Sequence, residues 1–418
     1  PTNAPKRTLS REYDALNRLK KDIGGTSPST QITQYSYDNN GNLTTTVDPL
    51  NRTTSSSYDP LARLVQVTNP ANGVSKQGYN ALDQQTSVTD PRNVVTNYTP
   101  NALGDVSQLQ SPDTGTTQNS YDAAGNITQT TDARGVVTQY SYDALNRLTA
   151  ITYPANSAEN ATFTYDATTT GNKGIGRLTG YSNDGATSTL KYDAYGNVIE
   201  QADLIGARIY TTGYQYDSLN RVSQTTYPSG RIVSYGRNTL GQITLVQTRD
   251  TGASPLTTLI SSADYQPFGP LKSLTYGNAV TTSITHDLDY RPSRITTSST
   301  PAWDFAYSYD AAGNIKNQTD QISTFSRALD YDALYRLITD TNNTGTWTYQ
   351  YDANGNRTKK VSSGGTQTLT YPATSNRLSK WNTTTQTLDG AGNLLTNGTK
   401  SYTYNSANRL ASYKVSGT

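Results

Sequence analysis

His286 is the only histidine of the chain and Asp287 follows it, an order in which a carboxylate can orient a general base. A base needs a nucleophile. With no cysteine present, thiolate attack, disulfides and cysteine-ligated zinc are excluded together, and any serine nucleophile would be one of many indistinguishable serines. His286 also stands where a recurrent tyrosine belongs, so a degenerate repeat position is the reading expected over the general base. Of the 32 acidic residues only Glu12, Glu159 and Glu200 are glutamates. Aspartates can pair for catalysis or hold calcium, but the EF-hand spacing with its closing glutamate is absent. They are expected to serve turns, and the chain to be non-enzymatic, with no catalytic residue, cofactor or bound metal.

The remaining chemistry is aromatic. The 32 tyrosines could stack on sugar rings, as could Trp303, Trp347 and Trp381. The competing role is burial of ring area against neighbours, with the hydroxyl reaching water or a backbone group. Burial is expected for both residue types, and glycans stay open as a partner.

The elements that position these groups are legible in residues 121–148, YDAAGNITQTTDARGVVTQYSYDALNRL, which say nearly the same thing twice. Self-similarity at fixed spacing marks a unit that cannot bury its own apolar face and must stack on copies of itself. Equivalent tyrosines run from Tyr13 to Tyr404, Tyr98 and Tyr235 included, with His286 and Leu388 filling two gaps. That makes 19 units at a mean spacing of about 22 residues.

Before each aspartate the sequence alternates with period two, as in Tyr140-Ser141-Tyr142, so the aromatics share one face of a strand. Asp122 and Asp143 then open turns, where an aspartate accepts a hydrogen bond from the backbone two residues on. Three residues later stand Gly125 and Asn146, the two residue types that most easily take the left-handed conformation. The exchange points to a backbone requirement. The predicted turn set is therefore Tyr121, Asp122, Gly125, Asn126 in one unit and Tyr142, Asp143, Asn146, Arg147 in the next. A second strand follows, Ile127-Thr128-Gln129-Thr130, and a second turn closes the unit at Asp48-Pro49-Leu50-Asn51, Asp90-Pro91-Arg92-Asn93 or Asp132-Ala133-Arg134-Gly135.

No stretch carries a capped 3.6-residue period, and Thr and Tyr favour strands, so the fold class is all-β. Some 38 strands at about 4.8 Å apart would make a sheet on the order of 180 Å wide. A sheet that wide curls into a spiral or barrel-like wall. Lysines and arginines number 34 against 32 acids, a net charge of +2 without a basic run, which argues against nucleic acid as a partner. No apolar run reaches the length of a membrane span.

The pattern Tyr-Asp-Ala-x-Gly-Asn-Ile followed by Thr-Asp-x-x-Gly, with eleven intact Tyr-Asp dipeptides, resembles the Rhs/YD-repeat family over essentially the whole chain. The resemblance implies a long sheet spiralling into a hollow shell, as in insecticidal toxin complexes, bacterial Rhs toxins and teneurins. In the toxins such a shell encloses an effector polypeptide. The sequence departs from that plan in showing no Asp-Pro-x-Gly self-cleavage segment and no effector domain after Tyr404.

These readings set the expectations: an N-terminal lead-in over 1–12, one continuous repeat domain over 13–418, and loop insertions near 166–177 and 247–262. The absence of methionine points to a processed product or a segment of something longer. The expected role is an extracellular β-wall that self-associates end to end through its terminal strands as a homo-polymer. The alternatives are a shell enclosing a cargo polypeptide and a carbohydrate-binding surface protein.

Overall fold

The computed structural model describes residues 9–24, 31–267, 269–300, 302–323 and 325–415. Of the expected lead-in, residues 1–8 lie outside that set, and Ser10–Tyr13 already forms the first strand. Thirty-seven more follow in order to Leu410–Val415, 38 in all. Each is antiparallel to the next in sequence, so the chain is one uninterrupted meander. Helical structure among the described residues amounts to two single turns of 3-10 helix, Ser157–Glu159 and Thr169–Gly171.

The alternation read in the sequence sets the faces. In Val137–Tyr142, Gln139 and Ser141 are exposed while Thr138, Tyr140 and Tyr142 are half-buried. The register then bends the sheet. At Ser141/Tyr142 the pairing slips by one residue, with Ser141 opposite Ala150 but Tyr142 opposite Leu148. The same irregularity recurs at this place in 18 of the 19 units. A bulge bends its strand and adds right-handed twist, so a bulge in almost every hairpin curls the sheet continuously.

Curling brings the sheet past its own beginning. Asp48 meets Tyr335 although 25 strands lie between them, and Arg92 meets Asp352 across 23. A winding of about 24 strands has a circumference near 115 Å and is therefore about 40 Å across. Strands pack only on their sequence neighbours, and the two windings touch through turns. The wall is accordingly one layer thick. Its accessible surface is 24302 Å², against roughly 16,000 Å² for a compact protein of this mass, because a single layer leaves both faces open. Among the described residues only six hydrophobic ones, Val94, Tyr153, Tyr192, Ile232, Ala263 and Leu369, are buried.

Candidate functional site: repeat turns and the winding seam

Each tyrosine–aspartate turn is closed by its own aspartate. The N–H groups of Leu145 and Arg147 donate to Asp143 Oδ1 at 2.9 and 3.0 Å, and Arg147 Nε donates to Oδ2 at 2.7 Å. Asn146 takes φ +59°. In the preceding unit Ala124 and Asn126 donate to Asp122 Oδ1, both at 2.9 Å, and Asn126 Nδ2 takes the place of the guanidinium on Oδ2. Gly125 has φ +84° with nothing within 4 Å of where a Cβ would lie, so the glycine answers a backbone angle and not a close approach. The backbone N–H of Arg147, followed by its guanidinium, lowers the Asp143 pKa; the Asn126 side chain and backbone lower that of Asp122.

The tyrosines tie each unit to the one before. Tyr121 Oη donates to Val106 O at 2.8 Å, Tyr142 to Ile127 O at 3.0 Å and Tyr165 to Leu148 O at 2.9 Å. Ties also run forward. The Arg147 guanidinium lies 4.3 Å from the centre of the Tyr165 ring, and Asn126 Nδ2 donates to Asn146 Oδ1 at 3.0 Å. An arginine reaching forward needs space, and a Cβ on Gly241 would stand 2.3 Å from Arg221 Nη1. Sequence reasoning passed over this pairing although its signal is local: Gly is followed by Asn in 125–126, 196–197, 313–314 and 355–356, and a non-Gly residue by Arg in 17–18, 62–63, 146–147 and 220–221.

Several expectations are corrected. Tyr98 and Tyr235 lie one pleat before the position assigned to them; Pro100 and Arg237 directly precede the turns, and Arg237 Nη2 donates to Val222 O at 3.0 Å in the tyrosine's stead. Trp303 is 63% and Trp381 41% exposed, so burial holds for neither, whereas Trp347 is half-buried in Gly345–Tyr351. His286 ends the strand Thr281–His286 with its Nδ1 buried and unpartnered. Asp287 does not orient it. Asp289 N–H, Arg291 N–H and Arg291 Nε occupy the Asp287 carboxylate. Among the described residues no cluster of acidic or histidine side chains could hold a metal ion.

In the first loop region Gly176 N–H donates to Asp166 Oδ1 at 2.6 Å, and the buried Asn172 bonds Leu190 O and Tyr192 N–H. In the second, the strands Ile243–Arg249 and Thr257–Tyr265 extend into the region and leave 250–256 as the connection.

The windings meet along a polar seam with one polarity throughout: second turns of the first winding face tyrosine–aspartate turns of the next. Arg92 is its centre. Nη1 donates to Ser375 O at 2.7 Å and Asn376 Oδ1 at 2.9 Å, Nη2 donates to Pro372 O at 2.6 Å, and Nε pairs with Asp352 at 3.1 Å. Asn376 answers with its N–H to Asp113 Oδ1 at 2.6 Å and its Nδ2 to Asp90 Oδ2 at 2.7 Å. Arg134 Nη1 donates to Asn405 O at 2.8 Å, Ser406 N–H donates to Glu159 Oε2 at 2.7 Å, and Gln31 Nε2 donates to Asp289 Oδ2 at 2.7 Å. Tyr335 hydrogen-bonds Asp48, and Arg52 covers its ring at 4.5 Å. Burial, reinforced by the Asp48 carboxylate, pushes the Tyr335 pKa up to about 12.

Away from the seam the same turns are uncovered. Their third residue is Leu61, Leu82, Leu103, Leu145, Leu219 or Leu240, each at least 66% exposed, and Leu16, Ile175 and Tyr195 hold the same place at 70% or more. In the turns in contact with the other winding, opened by Asp287, Asp332, Asp352, Asp389 and Asn405, that residue is Asp289, the half-buried Leu334, Asn354, Ala391 and Ala407.

A meander of bulged hairpins, each pinned by a turn aspartate and tied back by a tyrosine hydroxyl, is a YD-repeat wall. The RHS Repeat family matches at residues 13–53, 37–74 and 121–158, and the Teneurin YD-shell family at 278–417. The chain belongs to the Rhs/YD-repeat family. Among solved structures it is similar to a chain of the Photorhabdus luminescens Tc holotoxin pore, with a TM-score of 0.86 at 18% identity over 99% of this chain and 24% of that one. It is likewise similar to TcdB2-TccC3 without its hypervariable C-terminal region, with a TM-score of 0.85 at 18% identity over 97% of this chain and 24% of that one. At such identity the likeness is one of fold, and the chain spans about a quarter of the length of these solved chains. No curated protein matches it.

Proposed function

We propose that the chain is a section of shell wall whose work is to enclose a polypeptide, in an extracytoplasmic setting and without catalysis of its own. The observation that carries this reading is the seam: the sheet overlaps itself and is fastened there by Arg92, Asn376 and Arg134, which gives a curved wall with an inner face. Membership of the Rhs/YD-repeat family supports it, since the resemblance implies an effector inside such a shell. Enclosure draws more support than end-to-end polymerisation through the terminal strands, which nothing in the fold favours specifically. On this reading residues 13–418 form one continuous wall, the region 166–177 and, within 247–262, the connection 250–256 are insertions in it, and Tyr121, Asp122, Gly125, Asn126, Tyr142, Asp143, Asn146 and Arg147 hold backbone geometry.

The test is protection. A protease-sensitive, unstructured polypeptide joined to the C-terminus of the chain should be digested far more slowly than the same polypeptide free in solution, and protection should vanish when the wall is unfolded in denaturant. Digestion at the free rate while the wall stays intact would count against enclosure.

A further inference from the structure

We propose that Gly390 is the positioning residue on which the close approach of the two windings depends, a role that holds whether or not the wall encloses a polypeptide. It stands second in the turn Asp389-Gly390-Ala391-Gly392, a place that alanine fills in more than half of the units, Ala123, Ala144, Ala311 and Ala353 among them. The turn itself does not ask for glycine there. Gly392 takes φ +91°, as its position demands, whereas Gly390 lies outside the left-handed region.

The requirement comes from the other winding. A Cβ on Gly390 would lie 2.9 Å from the carbonyl carbon of Ala133 and nearer still to its oxygen, and 3.5 Å from Arg134 N. All three are backbone atoms, so no side chain can swing aside to make room. The opposing peptide is itself held. Gly135 N–H donates to Asp132 O at 2.9 Å, Arg134 N–H donates to Asp132 Oδ1 at 2.8 Å, and the Arg134 guanidinium donates to Asn405 O and Ser406 O of the following turn in the second winding. On the other flank a Cβ on Gly392 would stand 2.7 Å from Asp113 O, and Arg377 ties the group together through Nε to Asp113 O and Nη2 to Gly390 O at 2.7 Å. The Asp389 turn is thus seated between two second turns of the first winding, 112–115 and 132–135.

Other fastenings of the seam run through long side chains, Arg92, Tyr335, Gln31 and Glu159, which can re-aim. At Gly390 the contact is backbone against backbone and cannot. It also reads register. One unit further along in either direction, the residue brought against Ala133 would be Ala373 or Ser406, each with a Cβ. Such a slip would change the circumference by two strands, about 10 Å, so the glycine admits the observed winding and disfavours its neighbours. Seating a methyl group here would part the windings by roughly 1 Å. That would stretch the Asn376 N–H bond to Asp113, 2.6 Å long, past hydrogen-bonding length.

Gly390→Ala is the test, because alanine suits this turn in the other units. Amide exchange should quicken at least about tenfold across the seam in 111–115 and 132–135 and also in 372–377. The strands Thr384–Leu388 and Leu394–Asn397 that flank the substituted turn, and residues 210–250, should keep the parental rates. Adding Gly390→Ala to a chain carrying Asp113→Cys and Asn376→Cys should slow its intramolecular disulfide by a like factor, a readout that a fault confined to the turn would not move. Acceleration limited to 389–393, protection lost first in the two flanking strands, or a disulfide rate that the substitution leaves unchanged would each overturn the proposal.

Discussion

Replacing Arg92 with alanine removes the densest set of bonds on the seam. The side chain is 13% exposed and its partner Asp352 17%, and breaking such a pair by deleting one member costs about 3–5 kcal/mol when the remaining charge is stranded. Asp352 is not wholly stranded. It keeps the N–H groups of Asn354 and Asn356 and the Asn356 side chain, so the cost falls at the lower end, about 3 kcal/mol. The loss is local, because the windings touch only at their turns and each hairpin is otherwise held by its neighbours. Amide hydrogen exchange therefore reads it better than a melting temperature. Opening that is about 3 kcal/mol easier speeds exchange about 150-fold, and the acceleration should appear in the turns 352–356 and 372–377 and in 90–94, with residues 210–250 unchanged. Arg92→Lys, which keeps the charge but not the fork of donors, should fall between. Exchange in the 372–377 turn within two-fold of the parent would refute the claim that Arg92 fastens the windings.

Gly125→Val should destabilise by about 1–3 kcal/mol through backbone strain alone, and Gly125→Asn by much less, as urea unfolding of the two variants will show; equal costs would contradict the backbone account. His286→Tyr should raise stability by about 1 kcal/mol by supplying a hydroxyl to donate to the carbonyl of Leu271, the tyrosine donor this unit lacks, and thermal unfolding measures it. The turn carboxyls of Asp122, Asp143 and Asp217 are held below their usual pKa by hydrogen bonds from the fourth residue after each. A carboxyl with a lowered folded pKa stabilises fully above its unfolded value near 4 and loses that contribution as pH falls through the folded value. Melting should thus hold level from neutral pH to about 5 and fall below about 4, less steeply in Asp143→Asn, since asparagine already opens the turns at Asn80, Asn101, Asn238 and Asn405.

What the sequence made legible is what neighbouring residues decide. The Tyr140-Ser141-Tyr142 alternation and the Gly125/Asn146 exchange report local backbone and face, and from them the all-β class and some 38 strands follow. Tyr98 and Tyr235 misled because two alternate tyrosines share one strand face, and a missing second tyrosine shifts the alignment by one pleat. The seam was out of reach for a different reason. Arg92 and Asn376 are 284 residues apart, and which turns meet depends on the curvature summed over 23 to 25 strands, to which every bulge adds a little. Trp303 and Trp381 were misplaced because a one-layer wall has too little interior to bury every large ring.

The central claim is that the sheet winds past itself, and a pair of engineered cysteines tests it most directly. Asp113 and Asn376 are joined at 2.6 Å through the Asn376 N–H, whereas in an unwound sheet the 23 strands between them would set them about 110 Å apart. In a chain without other cysteines, Asp113→Cys with Asn376→Cys should form an intramolecular disulfide under mild oxidation, seen as a faster-migrating monomer on non-reducing electrophoresis. Thiols that stay free, or that link only between chains, would contradict the winding.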